Sequence, residues 1–467
     1  MPIRFLSRAA LGVAALLLVA PAAPAAQQRP APLTVPFTFY TLPNGLRVVL
    51  SQDTTAPTVG VGVYYHIGFR NEPRDRTGFA HLFEHLMFQG SGNLGKLEFI
   101  KLIEASGGYL NGSTRFDFTN YYEVVPAHTL ETMLWAEADR MKGLAIDSSN
   151  MNNQRDVVKN EVRVNVLNQP YGSFPWIDLP MAANQNWYNA HNFYGDLADL
   201  DAANLGDAAA FFNKYYAPNN AILVVVGDFN AATTRGWITK YFGGIPRADT
   251  PATPDLTEPK QTVERRASRV DSLANRPALG IGYHLPERWT PEWFAFGMID
   301  QILAQGRDSR LYQALVQQRG LTGDVSAGIN WGLGNMFNYQ GPMLWMASMY
   351  HDTGVAADTL LASIDYEMER LRSTPIDAAT LARTRTKIRS TLYDMIESQN
   401  GLGRLDLLAS FGLFDNDPGR INKLEAGFLA VTPAQIQKTA QEYLRRENRT
   451  VYTIIPGAAA AGATGAQ

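Results

Sequence analysis

The sequence predicts an α+β protein of two homologous domains, each a mainly antiparallel sheet with helices on one face. Three observations support this prediction. The chain has 467 residues, which exceeds the length over which one hydrophobic core usually extends. A proline-rich segment divides it near the middle, and three pairs of similar segments occur in the same order on either side. Duplication of one α+β unit explains the pairs, with chance similarity as the alternative.

The middle of the chain reads PRADTPATPDLTEP, with four prolines among small and acidic residues. This composition favours an extended linker over a helix or a strand. We therefore expect an N-terminal domain over 34–245, a linker over 246–262 and a C-terminal domain over 263–456. Residues 457–467 are of low complexity, and we expect them to be a disordered tail.

The N-terminus has the pattern of a secretory signal peptide. Arg4 and Arg8 precede an apolar run, AALGVAALLLVA, and the small residues PAAPAA follow it. We assign residues 1–26 to this signal and exclude them from the fold. The run is shorter than the ~20 residues of a membrane helix. We therefore expect no stable membrane span, with a retained anchor as the alternative.

Composition narrows the function further. A formal charge of -3 gives no basic face, so nucleic acid is not an expected partner. The chain has no cysteine, so any metal must be held by nitrogen and oxygen ligands. An exported protein without disulfides fits the bacterial periplasm, which is the expected location.

The paired segments predict matching strands and helices. VGVGVYYHIG and a helical run ending HLMFQG correspond to ALGIGYHL and a run ending QILAQG. AIDSSNMNNQRDVVKNEVR aligns without gaps with PIDAATLARTRTKIRSTLY, and Asp147 and Asp377 are placed to cap the helix that follows each. FFNKYYAPNNAILVVVGD resembles AQEYLRRENRTVYTIIPG, since each is a helix end leading into a β-branched strand.

The stretch GFAHLFEHLMFQGS contains His81 and His85, with Glu84 between them. Its apolar residues fit a buried helix over 77–89, with Gly90 as its C-terminal stop. Positions i and i+4 share a helix face, so both imidazoles can point at one metal ion, and Glu84 can reach a water on that ion. Buried structural histidines are the alternative. HxxEH is the inverzincin zinc pattern.

A catalytic zinc needs a third protein ligand and an open position for water. Glu161 is the candidate, because it lies in the helical run RDVVKNEVRVNV, 76 residues after His85. A solvated glutamate on a helix surface is the alternative interpretation of this residue.

HLFEH, followed at this spacing by the glutamate of VVKNEVR, resembles the pitrilysin and insulinase family of zinc metallopeptidases. The shorter chains related to mitochondrial processing peptidase are the most similar branch. TLPNGLRVVL, GGYLNGSTRFDFTNYYEVVP, WAEADRM and YYAPNNAILVVVGDF add to the resemblance. It covers nearly the whole mature chain, strongly in the first domain and weakly in the second.

This resemblance implies a fold, a site and an activity. The two domains are expected to face each other across a chamber. His81, His85 and Glu161 would bind one zinc ion per chain, and Glu84 would be the general base. The implied activity is that of an exported endopeptidase or oligopeptidase acting on unstructured peptides. Such peptides would pair as an added strand with the edge strand that carries the substrate-binding residues Asn111 and Gly112.

The second copy departs from this pattern. The positions aligned with the zinc site hold Gly297, Asp300, Gln301 and Thr391, so we expect no zinc there. In the first copy, Gln154 stands where many relatives have a glutamate that supports the ligands. An amide can orient a ligand but cannot adjust its charge as a carboxylate does.

Relatives also use an Arg and a Tyr of the second domain to hold the substrate and the oxyanion. Val316 and Gly323 occupy these positions and cannot replace them. Because short chains of the family often pair with a homologue that supplies these residues, we expect this chain to be the zinc subunit of a hetero-oligomer. The alternatives are a homodimer, or substitution by Arg310 or Arg319 of the same chain.

Two further function classes stay open at this stage. Homologues of the family also serve as non-catalytic structural or assembly subunits, and an exported chain of this fold could bind peptides without cleaving them. Manganese or cobalt would also suit the nitrogen and oxygen ligands.

Overall fold

The structure, a computed structural model, describes residues 34–457. The predicted signal peptide and the predicted tail beyond Gly457 lie outside these residues. Within the described part, no helix is both long and apolar enough to cross a membrane.

The first half of the chain forms a six-stranded sheet. Its strands are β1 (Thr38–Thr41), β2 (Arg47–Gln52), β3 (Thr58–Tyr65), β4 (Tyr109–Thr114), β5 (Thr119–Pro126) and β6 (Ala221–Gly227). The strand order is β1-β2-β6-β3-β5-β4. The β2–β6 pair is parallel and every other pair is antiparallel.

From residue 34 onwards, nine α-helices of the first half accompany this sheet. They are α1 (Phe79–Leu86), α2 (Glu98–Ala105), α3 (Leu130–Lys142), α4 (Ser148–Val162), α5 (Asp178–Ala183), α6 (Trp187–Ala190), α7 (Leu197–Ala202), α8 (Leu205–Tyr215) and α9 (Ala231–Phe242). A π-helical turn extends α4 over Arg163–Leu167. Residues 246–262, the predicted linker, contain no helix or strand. The domain boundaries stay predictions.

Up to Gly457, where the described part ends, the second half forms a five-stranded sheet and six α-helices. The strands are β7 (Arg265–Asp271), β8 (Ala278–His284), β9 (Ser326–Ile329), β10 (Leu344–Tyr350) and β11 (Arg449–Pro456). The helices are α10 (Pro291–Leu303), α11 (Ala357–Ser373), α12 (Ala378–Glu397), α13 (Leu402–Phe414), α14 (Leu424–Ala430) and α15 (Pro433–Tyr443). A π-helical segment covers Tyr312–Gln318.

The two sheets have the same topology. The second sheet runs β7-β11-β8-β10-β9, with β7 parallel to β11 and the other pairs antiparallel. This order and these directions repeat those of β2-β6-β3-β5-β4 in the first sheet. The α+β fold and the internal duplication predicted from the sequence are therefore confirmed.

The two predicted helix caps are also present. Asp147 accepts a hydrogen bond from the backbone of Asn150 at the start of α4, and Asp377 does the same with Thr380 at α12. Helix α1 begins at Phe79, two residues later than predicted. It ends at Leu86, three residues earlier than predicted, so Gly90, with a positive φ of 118°, lies beyond the helix and is not its C-terminal stop.

Each sheet has one face covered by a helix from the other half of the chain. The first sheet packs its own helices against Val59, Val61 and Val63, while α13 lies against β6, β3 and β2 on the other face. Helix α5 of the first half lies in the same way against β8, β11 and β7. The halves therefore exchange helices, an arrangement that the sequence did not predict.

Glycines of the central strands make this exchange possible. A Cβ added at Gly62 of β3 would lie 2.6 Å from Leu405 of α13. The equivalent Gly280 of β8 faces Phe174, which precedes α5, and an added Cβ would lie 2.9 Å from its ring. Both distances are shorter than a van der Waals contact, so a side chain at either position would push the exchanged segment away.

We predict that Gly62→Val lowers the free energy of unfolding by about 1–3 kcal/mol through overpacking against Leu405. Valine favours strands by itself, so a loss of stability reports the packing contact. The measurement is denaturant unfolding. In the double variant with Leu405→Ala, the cost of Gly62→Val should shrink.

Gly236→Ala provides the control, because Gly236 lies within α9 and a Cβ there has no atom within 4 Å. This change should stabilise the protein by up to about 1 kcal/mol. If Gly62→Val lowers the free energy of unfolding as much in the Leu405→Ala background as in wild type, its effect does not arise from the contact with Leu405.

Candidate active site

Helix α1 is held at its N-terminus by a buried carboxylate. Glu72 is 1 % exposed and accepts hydrogen bonds from the backbone N–H groups of Gly78, at 2.9 Å, and Ala80. Burial raises the pKa of Glu72, against the opposing effects of His191 and of these bonds. A negative group at a helix N-terminus is stabilising, so this contact fixes the helix that carries His81, Glu84 and His85.

The structure brings His81, His85 and Glu161 together between α1 and α4. The Nε2 atoms of the two histidines lie 3.3 Å apart. Glu161 places one oxygen 3.3 Å from Nε2 of His85 and the other 3.6 Å from Nε2 of His81. Among residues 34–457, this is the one group of three potential ligands whose atoms lie within 4.8 Å of one another.

These spacings fit a tetrahedral metal ion. Zinc binds histidine and carboxylate at about 2.1 Å, and a tetrahedron of that radius has edges of about 3.4 Å. The separation of the two histidine Nε2 atoms, 3.3 Å, is close to this edge. With one atom taken from each residue, the three ligand atoms lie within 4.8 Å of one another. Two nitrogens and one oxygen are also a ligand set that zinc accepts, and the fourth position is left for water.

The protonation states suit metal binding. Burial lowers the pKa of His81 to about 4, with the charge of His85 acting in the same direction and that of Glu161 opposing it. Burial raises the pKa of Glu161, but the hydrogen bond to His85 and the charges of both histidines outweigh burial and lower it overall. A neutral imidazole and an ionised carboxylate are the forms that bind metals.

Glu84 is held beside this group and does not belong to it. Its Oε2 accepts a hydrogen bond from the Thr114 hydroxyl at 2.8 Å. Burial raises the pKa of Glu84, while Thr114, His85 and Arg115 partly oppose this. A carboxylate with a raised pKa, close to a metal site, is suited to accept a proton from water.

Asn111 and Gly112 lie on β4, which is the edge strand of the first sheet. A Cβ at Gly112 would lie 3.2 Å from Cγ of Glu84, so β4 passes directly beside the candidate base. Within the described residues β4 pairs only with β5. Its other side is available to an extended peptide.

Both halves of the chain line the pocket at the candidate metal site. The cavity has a volume of about 330 Å³. Around His81, Glu84 and Glu161 it has a largely aromatic wall formed by Trp176, Phe193, Tyr194 and Trp331. Gly332 and Leu333 follow Trp331 along this wall and belong to the second half. The pocket therefore depends on the association of the two halves.

The equivalent positions of the second half surround a different cavity. Gly297, Asp300, Gln301 and Thr391 line one space of about 430 Å³. Asp300 accepts hydrogen bonds from the indole of Trp345 at 2.7 Å and from Gln305 at 3.2 Å. This group contains no imidazole, and that this half binds no zinc stays a prediction.

The remaining predicted residues lie away from the metal ligands or lack a direct link to them. Gln154 is buried on α4, and in the described part no hydrogen bond connects its side chain to the three ligands. Val316 is half-buried and Gly323 exposed, and neither lines the pocket. Arg319 donates to Ser363, and Arg310 lines a separate cavity.

Two contributors were missed at the sequence level. The Tyr194 hydroxyl donates to Glu161 at 3.3 Å, and its ring stands edge-on to His81 with centroids 5.1 Å apart. Tyr194 is distant in sequence from every ligand, so no local spacing indicates it. Thr114 could have been found, because it lies two residues after Gly112 and therefore on the same face of β4.

Comparison with known proteins identifies the class. The sequence profile described as Insulinase (Peptidase family M16) matches residues 47–174. The profile of the Peptidase M16 inactive domain matches 202–388. Together they cover more than half of the chain, which therefore belongs to peptidase family M16, the insulinase family. The second match agrees with the absence of ligand residues at Gly297, Asp300 and Gln301.

Relatives and solved structures support this assignment. The chain is 27% identical over 423 residues to the zinc protease PqqE of Helicobacter pylori, covering 89% of this chain and 92% of that one. The crystal structure of a protease from Helicobacter pylori matches with a TM-score of 0.82 and 26% identity, covering 91% and 100%. The periplasmic protease PqqL of Escherichia coli shares the fold, with a TM-score of 0.73 and 17% identity, over 92% of this chain and 49% of that one.

The buried Asp300 gives a pH prediction for the second half. Burial raises its pKa to about 6, against the opposing hydrogen bonds of Trp345 and Gln305. Because the folded state then binds a proton more tightly than the unfolded state, stability should fall as pH rises through about 4 to 6. Asp300→Asn removes this titration. Thermal unfolding should show the variant more stable than wild type by up to about 3 kcal/mol at pH 8 and equal to it at pH 4.

Asp324, which is exposed, provides the control for the Asp300 substitution. Asp324→Asn should leave the pH dependence of unfolding unchanged. A stability difference between Asp300→Asn and wild type that is the same at pH 4 and pH 8 would mean that Asp300 does not titrate in this window.

Proposed function

We propose that this chain is a zinc-dependent endopeptidase or oligopeptidase that hydrolyses unstructured peptides. The observation that carries the proposal is the convergence of His81, His85 and Glu161, whose ligand atoms lie within 4.8 Å of one another. The two Nε2 atoms are 3.3 Å apart, close to an edge of a zinc tetrahedron. Relatives named zinc proteases support the same activity.

The residues around the ligands have separate roles in this reaction. Zinc, when bound, lowers the pKa of a coordinated water towards neutrality. Glu84 accepts the proton of that water and delivers it to the leaving nitrogen of the peptide bond. The Thr114 hydroxyl holds the Glu84 carboxyl in place, and the Tyr194 hydroxyl does the same for Glu161.

The substrate binds as an extra strand on β4. Its backbone pairs with the free edge at Asn111 and Gly112, which places a peptide bond beside Glu84. Main-chain pairing requires an extended chain with free backbone groups. Unstructured peptides are therefore preferred over folded proteins.

The proposed location is the periplasm. The N-terminal run of two arginines, an apolar stretch and small residues supports export with cleavage of a signal peptide. The fold is shared with a protein described as a periplasmic protease.

We further propose that the chain acts as the zinc subunit of an oligomer. Val316 and Gly323 lie outside the pocket and lack the donors that the resemblance leads us to expect there. A homologous subunit, or a second copy of this chain, would supply the Arg and Tyr.

The main prediction concerns Glu84→Gln. The variant should keep about one zinc per chain, because Glu84 is not a ligand, and should lose turnover of an unstructured peptide by about 10²-fold or more. Metal content by elemental mass spectrometry and a peptide cleavage assay measure the two effects. By contrast, Glu161→Ala should lower zinc affinity more than about tenfold.

Glu104→Gln is the matched control, because Glu104 is an exposed residue of α2. It should retain both zinc and turnover. If Glu84→Gln remains active, the assignment of the base is wrong. Peptide binding that is unaffected by a chelator, without any cleavage by wild type, would instead favour a peptide-binding protein.

The partner proposal predicts low peptidase activity for the purified chain alone and a clear increase on addition of the homologous subunit. The reason is that the transition state lacks the expected Arg and Tyr donors. Size-exclusion chromatography coupled to the peptide assay provides the measurement. Full activity in a monomeric fraction would show that no partner is needed.

A further inference from the structure

We infer that Arg115 forms a subsite for a carboxylate group of the peptide, in a second cavity that adjoins the metal pocket. The inference rests on the proposed function and deepens it, because it names the class of peptide that the site would prefer. The metal ligands alone do not determine this preference. The carboxylate belongs either to an Asp or Glu side chain of the peptide or to its C-terminus.

Arg115 is placed between the two cavities. It directly follows β4 and is half-buried. Together with Ser113 it lines both the metal pocket and the second cavity, which also has a volume of about 330 Å³. Among the residues that the structure describes, it is the only Lys or Arg that lines either one. Its position between them is also evident from its charge, which lowers the pKa of both Glu84 and Asp406 against the effect of burial.

The carboxylate and the guanidinium that line the second cavity differ in their hydrogen bonds. On its far wall, Asp406 of α13 accepts hydrogen bonds from Tyr64 at 3.0 Å and, more weakly, from Asn335 and Asn338 at 3.4 and 3.3 Å. The Arg115 guanidinium has no hydrogen bond or ion pair with any residue over 34–457. Because a guanidinium has only donors, a ligand group that bonds to Arg115 must be an acceptor.

A carboxylate is the acceptor that a guanidinium binds best. The planar group presents parallel N–H donors that match the two oxygens of a carboxylate. In a partly enclosed cavity such a charge-assisted pair is stronger than on an open surface. The exposed face of Arg115 is therefore suited to an acidic group, and not to a neutral or basic side chain.

The position of Arg115 relative to Glu84 sets the spacing in the substrate. Gly112 lies beside Glu84, and Arg115 follows three residues later. At about 3.3 Å per residue the separation along the strand is roughly 10 Å. A peptide paired with β4 would thus place an acidic residue about three residues from the cleaved bond.

The test uses pairs of peptides that are identical except for one position, which holds Glu in one peptide and Gln in the other. This position is varied from pair to pair along the peptide. Each peptide is made with a free and with an amidated C-terminus. Wild type should cleave the best Glu peptide with a kcat/KM about tenfold above its Gln counterpart. In Arg115→Met this ratio should fall to about one, and Arg115→Lys should retain part of it. Raised salt should also reduce the wild-type ratio.

Arg319→Met is the matched control, since Arg319 bonds to Ser363 outside both cavities. It should keep the wild-type ratio. If amidation abolishes the preference and Glu scanning has no effect, the carboxylate is that of the C-terminus. A ratio near one in wild type, or a high ratio that survives in Arg115→Met, would overturn the inference.

Binding separates this inference from the proposed function. Zinc-loaded Glu84→Gln should bind the Glu peptide about tenfold more tightly than the Gln peptide in calorimetry, and the double variant with Arg115→Met should bind both alike. If wild type cleaves no peptide, the proposed function fails while this binding ratio still decides the role of Arg115. Equal binding of both peptides by Glu84→Gln refutes the subsite, whatever the turnover.

Discussion

The close approach of the two halves at glycine-lined strands is the constraint on which the site depends. Gly62 admits Leu405 of α13, and Gly280 admits Phe174 before α5. The residues next to these contacts line the cavities: Asp406 follows Leu405, and Trp176 lies two residues after Phe174. The same short segments therefore hold the halves together and form the walls around the metal ligands.

Much of the fold could be predicted because its signals are local. The caps at Asp147 and Asp377, the helix around His81 and the paired strands follow from residue type and periodicity over a few positions. The spacing of His81 and His85 on one helix face also follows from helix geometry alone. The exchange of α5 and α13 could not be predicted in this way, because it depends on contacts between residues more than a hundred positions apart.

The candidate site shows the same division. The structure brings Glu161 to the two histidines, as the resemblance implied, although the spacing of 76 residues carries no geometric information by itself. Tyr194 was missed because it reaches the pocket through tertiary packing. Residue roles there stay predictions, while the positions of the side chains are now defined. Asp300 shows how the duplicated helix diverged. It keeps a carboxyl group at the position equivalent to Glu84, but the positions equivalent to the two histidines hold no imidazole.

The exchanged helices have a consequence for substrate access. Separating the halves would uncover the glycine faces of both sheets and remove Leu405 and Phe174 from their contacts, exposing apolar surface to water. Widening the pocket by such a motion is therefore costly. Under the proposed function, a substrate would have to be narrow enough to reach Glu84 along the edge of β4, so the packing that stabilises the fold would also exclude folded proteins by their size.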